Sequence, residues 1–361
     1  MGDSLLEHSI ELILSSQAAS GAYPACVNFP TYQYAWFRDG SFCAHAMLRT
    51  GHADSAARFH DWASATLLAN AAKIDACLAL LAAGQTPAEG QFLHSRFTLS
   101  GAEVPGHWGH HQPDGLGAWL WALSAYCAAH LAQPLPANWR SAAELAVRYL
   151  SAIWRRPCSD CWEEHEDMRH TYSLAAVYGG LHSAATLLGD SAAAETAAQV
   201  RAEILSGFTR NGRFVKSDGL PAVDANLLGL YLPFGVVTWD DPLFQATLAA
   251  IRTELTRPLG LHRYSADSYY GGGQWVLLTA WLGWAYAEAG LPQESRPLLE
   301  WVRAQAAPNG DLPEQVPAAL NFPQEYAPWV QRWGAIATPL LWSHAQYILL
   351  ADALRLADPL P

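Results

Sequence analysis

Apolar residues recur at three- and four-residue spacing along most of this chain. The pattern runs through 3–19, 54–83, 114–131, 139–156, 170–188, 190–206, 272–289 and 337–356, rich in Ala, Leu and Glu, and predicts a helix over each. Shorter stretches at 40–50, 222–230, 241–255 and 293–305 carry the same spacing and bring the expected set to about twelve helices. Strand-like alternation is scarce, so the fold class is all-α.

Glycines punctuate the pattern at Gly51-His52-Ala53-Asp54, Gly189-Asp190-Ser191 and Gly290-Leu291-Pro292. A glycine ending one helix, followed at the first two places by an Asp or Ser able to cap the next, predicts tight turns between antiparallel neighbours. The remaining connections are long, polar and aromatic. Several lead into segments that are apolar nearly all round, such as Ala118-Trp119-Leu120-Trp121-Ala122-Leu123 and Gln274-Trp275-Val276-Leu277-Leu278. Helices of that kind are buried ones. Six buried helices alternating with six amphipathic ones predict an (α/α)6 toroid whose long loops emerge on one rim, where they can build one site.

Composition narrows the chemistry. The 361 residues show no linker or abrupt change in composition, so one large catalytic domain over 1–361 is expected. Hydrophobic residues make up 51% and charged residues 15%, which excludes disorder and fits extensive helix-on-helix packing. The formal net charge is -12, and Lys and Arg are not clustered, so neither nucleic acid nor a membrane is an expected partner. The 16 Trp, several near polar loops, point to a ligand that stacks on aromatic faces, as sugars do. The N-terminus lacks a leader pattern, Asn-x-Ser/Thr is absent and six cysteines are few for the length, so a cytoplasmic protein is expected.

The loops hold the unusual residues. Tyr32-Gln33-Tyr34-Ala35-Trp36-Phe37-Arg38-Asp39-Gly40 sets a cation and an anion behind aromatics; a surface ion pair with an Asp cap is the plainer reading. In His107-Trp108-Gly109-His110-His111-Gln112-Pro113-Asp114, a helix cap explains Asp114 but neither Trp108 nor Gln112. Trp162-Glu163-Glu164 is either a solvated acidic patch or helix start, or the home of a working carboxyl. Arg263-Tyr264-Ser265-Ala266-Asp267-Ser268-Tyr269, Pro313-Glu314-Gln315 and Trp342-Ser343-His344-Ala345 follow in the same style. Two carboxyls from remote loops, brought face to face, are what cleavage of a glycosidic bond requires. Glu163 and Glu314 are the candidates.

The ordered set of these motifs, together with Pro-Phe-Gly-Val at 233–236, resembles glycoside hydrolase family 15, the glucoamylase, glucodextranase and bacterial trehalase group, from about Tyr23 to Leu350. The resemblance implies an inverting, exo-acting α-glucosidase on an (α/α)6 toroid. Glu163 matches the general acid and Glu314 the general base, which must sit roughly 6.5 to 9.5 Å apart to admit a water on the far face of the sugar. Arg38 and Asp39 match residues that hold the terminal glucose, Arg263 resembles another sugar contact, and Glu164 one on the leaving side. Gln112, Asp114 and Trp162 belong to the same implied sugar-binding set. Tyr32, Trp108 and Trp342 are candidates for ring stacking, with core packing as the alternative for each. Asp267 is expected to orient Arg263.

Departures from the family pattern restrict the substrate. Pro113 stands where the secreted fungal glucoamylases have a basic residue, and neither a starch-binding module nor a preceding β-sandwich is expected. Short gluco-oligosaccharides of the isomaltose or maltose type are therefore expected, with α,α-trehalose or a non-catalytic sugar-binding toroid as the alternatives. The histidines at 107, 110 and 111 and the Cys158-x-x-Cys161 pair match no standard zinc spacing, so no metal or other cofactor is expected.

Overall fold

The computed structural model describes residues 4–130 and 134–357. The predicted helix ends at residues 3 and 131 lie outside these. Thirteen α-helices occur among the described residues: α1 (Ser4–Ser16), α2 (Phe37–Arg49), α3 (Ala53–Ala69), α4 (Ala71–Ala82), α5 (Asp114–His130), α6 (Ala137–Ile153), α7 (Thr171–Leu188), α8 (Ser191–Gly207), α9 (Pro242–Ala250), α10 (Val276–Glu288), α11 (Pro292–Ala304), α12 (Pro323–Trp333) and α13 (Leu341–Ala357). None is long and apolar enough by itself to cross a membrane.

The expected double ring forms. Its inner circle runs α2, α5, α7, the 3-10 helix Ala225–Leu230, α10 and α13, and α13 closes back on α2. Outside it lie α1, α3, α6, α8, α9 with its π-helical continuation Ile251–Leu255, and α11. The inner helix α10 is apolar all round because it is enclosed all round: every one of its residues except Glu288 is buried. Two of the inner helices touch at their backbones. A Cβ on Gly117 of α5 would lie 2.2 Å from the Ala176 carbonyl oxygen of α7, and one on Gly180 would lie 2.6 Å from that of Gly117. Only glycine fits at either place.

The tight turns behave largely as predicted. Gly189 ends α7 in the left-handed region (φ 71°), and the Asp190 carboxylate then accepts from the N–H groups of Ala192 and Ala193. Asp54, expected as a cap, lies inside α3 instead, with His52 at the cap position. Three other expectations are corrected. The segment 54–83 is two helices bent by 56° at Asn70, whose side-chain amide donates to the Thr66 carbonyl. The inner helix expected at 222–230 is a six-residue 3-10 turn started by Asp224. The helix α12, begun by Pro323, was not foreseen: Tyr326, Trp329, Val330 and Trp333 do form a short apolar stripe, but Pro328 inside it reads as a helix breaker.

Strands are few and two residues long, but they fasten the rim. Ala35–Trp36 pairs with Arg96–Phe97. An antiparallel sheet of Thr256–Arg257, Gly260–Leu261, Gln274–Trp275 and Gln315–Val316 sets Trp275 opposite Gln315. That register places Glu314 at the start of α10, where its carbonyl accepts from the Val276 N–H at 3.2 Å.

Candidate active site

The loops of one rim enclose a cavity of about 350 Å³ whose wall includes both Glu163 and Glu314. Of the other residues expected there, Tyr32, Arg38, Asp39, Trp108, Trp162, Glu164, Arg263 and Trp342 also line it. Gln112 and Asp114 do not. They stand behind Arg38, whose Nη1 donates to Gln112 Oε1 at 2.9 Å and to Asp114 Oδ2 at 3.1 Å. Sequence adjacency shows which residues share a loop but not their depth in it, and these two are supports for the wall, not part of its surface.

Arg38 and Asp39 occupy the first turn of α2, so the cap reading of Asp39 falls; Trp36 is the capping residue. Burial alone would disfavour the charged guanidinium, but Asp114 and Asp39 outweigh it and keep Arg38 protonated. Arg263 is held more tightly. Its Nε donates to Asp267 Oδ2 at 2.8 Å and its Nη2 to Asp267 Oδ1 at 2.5 Å, a bidentate clasp with a fully buried carboxylate. Asp267 thus orients Arg263, as expected. The same Nη2 reaches Glu164 Oε1 at 3.2 Å, and the guanidinium lies among Trp275 at 4.9 Å, Trp162 at 5.3 Å and Tyr269 at 5.3 Å.

The two candidate carboxyls have unlike surroundings. Glu163 sits in the loop between α6 and α7 with φ 69°, and its Oε1 accepts from Trp36 Nε1 at 2.8 Å and from Gln112 Nε2 at 3.3 Å. Oε2 takes neither bond. Burial raises its pKa, opposed chiefly by Arg38. Glu314 leaves its Oε2 buried and without a hydrogen-bond partner. Burial pushes its pKa up to about 8, against the pull of Arg263 and of the Tyr32 hydroxyl. Its backbone is pinned on both sides: Glu314 N–H donates to the Ala337 carbonyl at 2.9 Å, Leu312 N–H to His344 Nε2 at 2.9 Å, and Ser343 Oγ to the Pro313 carbonyl at 2.9 Å.

Several wall residues escaped the sequence reading. Trp36 was quoted within a motif but not singled out; Tyr269, Trp275, Trp329 and Trp333 also line the cavity, and the Tyr269 hydroxyl lies 3.1 Å from that of Tyr32. The excess of tryptophan pointed towards the indoles, and Tyr269 closes the motif that begins at Arg263. The loop histidines disperse: His110 stacks on His94 at 3.7 Å, His111 on Phe92 at 3.9 Å, and His107 faces Glu89.

A family model described as "Glycosyl hydrolases family 15" matches residues 2–352. The chain belongs to glycosyl hydrolases family 15. It is therefore a glycoside hydrolase, and the resemblance drawn from its motifs is confirmed. Among characterised relatives, the isomaltose glucohydrolase of Kribbella flavida is 42% identical over 98% of this chain and 94% of its own length. A solved glycosidase, a glutamate-to-alanine variant in complex with glucose, superposes with a TM-score of 0.94 at 42% identity, covering 98% of this chain and 96% of that one. The glucoamylase of Saccharomycopsis fibuligera shares the fold, with a TM-score of 0.74 at 16% identity over 99% of this chain and 94% of that one. Family 15 membership and these neighbours agree with the (α/α)6 architecture.

Proposed function

We propose that this family 15 member is an inverting exo-acting α-glucosidase, which removes the non-reducing glucose of isomaltose-type disaccharides and short oligosaccharides as β-D-glucose. The observation that carries this reading is the pairing, in one cavity of about 350 Å³, of a carboxyl fixed by N–H donors with a carboxyl whose Oε2 is buried and has no hydrogen-bond partner. The likeness to the Kribbella flavida enzyme supports isomaltose as the first substrate to test.

In this mechanism Trp36 and Gln112 hold Glu163 Oε1, which leaves Oε2 to carry a proton to the glycosidic oxygen. As that bond breaks, Glu314 Oε2 accepts a proton from the water that attacks the anomeric carbon from the opposite face. Arg38 and Asp39 hold hydroxyls of the glucose being released. Arg263 and Glu164 face the leaving sugar, and Tyr32, Trp108, Trp162 and Trp342 provide apolar faces and exclude water.

The electrostatics demand one further step. In the free protein Glu314, at about 8, holds its proton more firmly than a base should. Positive charge developing on the sugar ring, close to Glu314, favours its ionised form in the transition state. The base is thus armed by the same charge that it helps to stabilise. Six buried, free thiols also support placing the enzyme in a reducing compartment, which we take to be the cytoplasm. Proton NMR of isomaltose during its first turnovers tests the mechanism: β-glucose is expected first, and α-glucose as the first anomer rules inversion out.

A further inference from the structure

Behind the wall that carries Glu163 lies a charge cluster that the reaction itself does not use. Lys216 Nζ lies 2.7 Å from Asp160 Oδ2 and 2.7 Å from Asp224 Oδ2, and none of the three side chains is more than 1% exposed. Burying three charges is costly, and a cluster of this kind is weak support for stability by itself. Its other contacts lead to the loop that carries the proton donor.

Asp160 Oδ1 accepts from the backbone N–H of Trp162 at 2.9 Å and of Glu164 at 3.0 Å, the residues on either side of Glu163. Asp224 accepts from the indole N–H of Trp162 at 3.1 Å. The Lys216 ammonium also lies 4.3 Å from the centre of the Tyr264 ring, whose hydroxyl donates to Glu164 Oε2 at 2.5 Å. Residues 162, 163 and 164 are thus gripped through one cation. The grip works against strain: Glu163 and His165 both have positive φ, 69° and 54°. A left-handed non-glycine residue is strained and persists only where its surroundings over-determine it.

We propose that Lys216 is a positioning residue for proton donation: by clamping Asp160 and Asp224 it holds Glu163 in the left-handed backbone conformation that aims its carboxyl at the leaving oxygen. Without the ammonium, two carboxylates face each other uncompensated. Asp160, which burial disfavours as an anion and Lys216 keeps ionised, then loosens its hold on the two N–H groups. The base is untouched, because the Glu314 segment is fastened by Ala337, Ser343 and His344.

This inference rests on Glu163 being the acid, which E163Q tests separately. The clamp is tested by the triple variant K216M/D160N/D224N, in which neutral near-isosteres replace the cluster and no charge is left unpaired. Two substrates are compared: isomaltose, whose leaving sugar needs a proton, and α-glucosyl fluoride, whose fluoride leaves without one. The expected result is a fall in kcat of about 10²-fold on isomaltose, with α-glucosyl fluoride retained to within about tenfold. Equal losses on both substrates, or none on either, overturn the proposal. If the triple variant does not fold, D224N alone, which keeps the Lys216–Asp160 pair, is read in the same way. A selective loss of about tenfold on isomaltose is then expected, and an equal effect on the two substrates overturns the clamp.

Discussion

The indole N–H of Trp36 donates to Glu163 Oε1 at 2.8 Å across 127 residues of sequence. One oxygen of the proposed acid is thereby occupied, and its proton is confined to the other. The W36F variant keeps the ring and removes the donor. This hydrogen bond gains strength as the acid gives up its proton and becomes charged, a difference worth about 1 kcal/mol, so kcat/KM on isomaltose should fall several-fold with the circular dichroism spectrum unchanged. Unaltered kinetics would mean that Gln112 and Trp108 suffice to orient the acid.

Glu163→Gln and Glu314→Gln should separate by leaving group. Each is expected to lose about 10² to 10⁴-fold in kcat on isomaltose. On α-glucosyl fluoride, E163Q recovers most of that loss, because fluoride needs no protonation, whereas E314Q does not, because water still needs a base. In E163Q the remaining ionisation is that of Glu314, which must lose its proton to work. Its kcat/KM on the fluoride should therefore rise with pH towards about 8, the position to which burial moves this carboxyl. A profile that falls over that range would assign the two roles the other way round.

Glu314 should also cost stability as pH rises. Its folded pKa of about 8 lies above the ordinary 4.5, so between these values the folded protein keeps a proton that the unfolded chain releases. Stability contributed by this group is present below 4.5 and is lost as pH climbs through 8. Glutamine removes the effect. The Tm of E314Q should exceed that of the wild type by a margin that widens from pH 4.5 to 8, corresponding to a few kcal/mol at most, and then levels off. A margin independent of pH would show that Glu314 titrates normally.

The contact of α5 with α7 predicts a packing defect. In G117A the new methyl group would meet the Ala176 carbonyl at 2.2 Å, and the two inner helices must separate. Overpacking of this kind costs about 1–3 kcal/mol, read as a drop of a few degrees in Tm by calorimetry. An unchanged Tm would mean that the ring yields at no cost.

The sequence revealed the ring because enclosed helices must be apolar on every side, as in α10. It pointed to Glu163, Glu314, Arg38 and Asp39 through their places in the ordered motifs that resemble family 15, and all four line the cavity. It hid the break at Asn70 because the apolar spacing continues across it. It hid α12 because Pro328 interrupts its short stripe of Tyr326, Trp329, Val330 and Trp333, which packs on the turn Tyr269–Gly271 at the rim. It hid Lys216 for a different reason. A single lysine has no local signature, and its meaning comes from Asp160 and Asp224, which only folding brings to its side.

The inner circle is completed by α13, which packs on α2 and α10 at once, supplies Trp342 to the cavity and fastens the Glu314 segment through Ser343 and His344. These residues follow both Glu163 and Glu314 in the chain. A nascent polypeptide can carry both carboxyls and still lack the wedge that fastens the Glu314 segment, so on the proposed mechanism sugar turnover is expected only after residues 341–357 have emerged and docked.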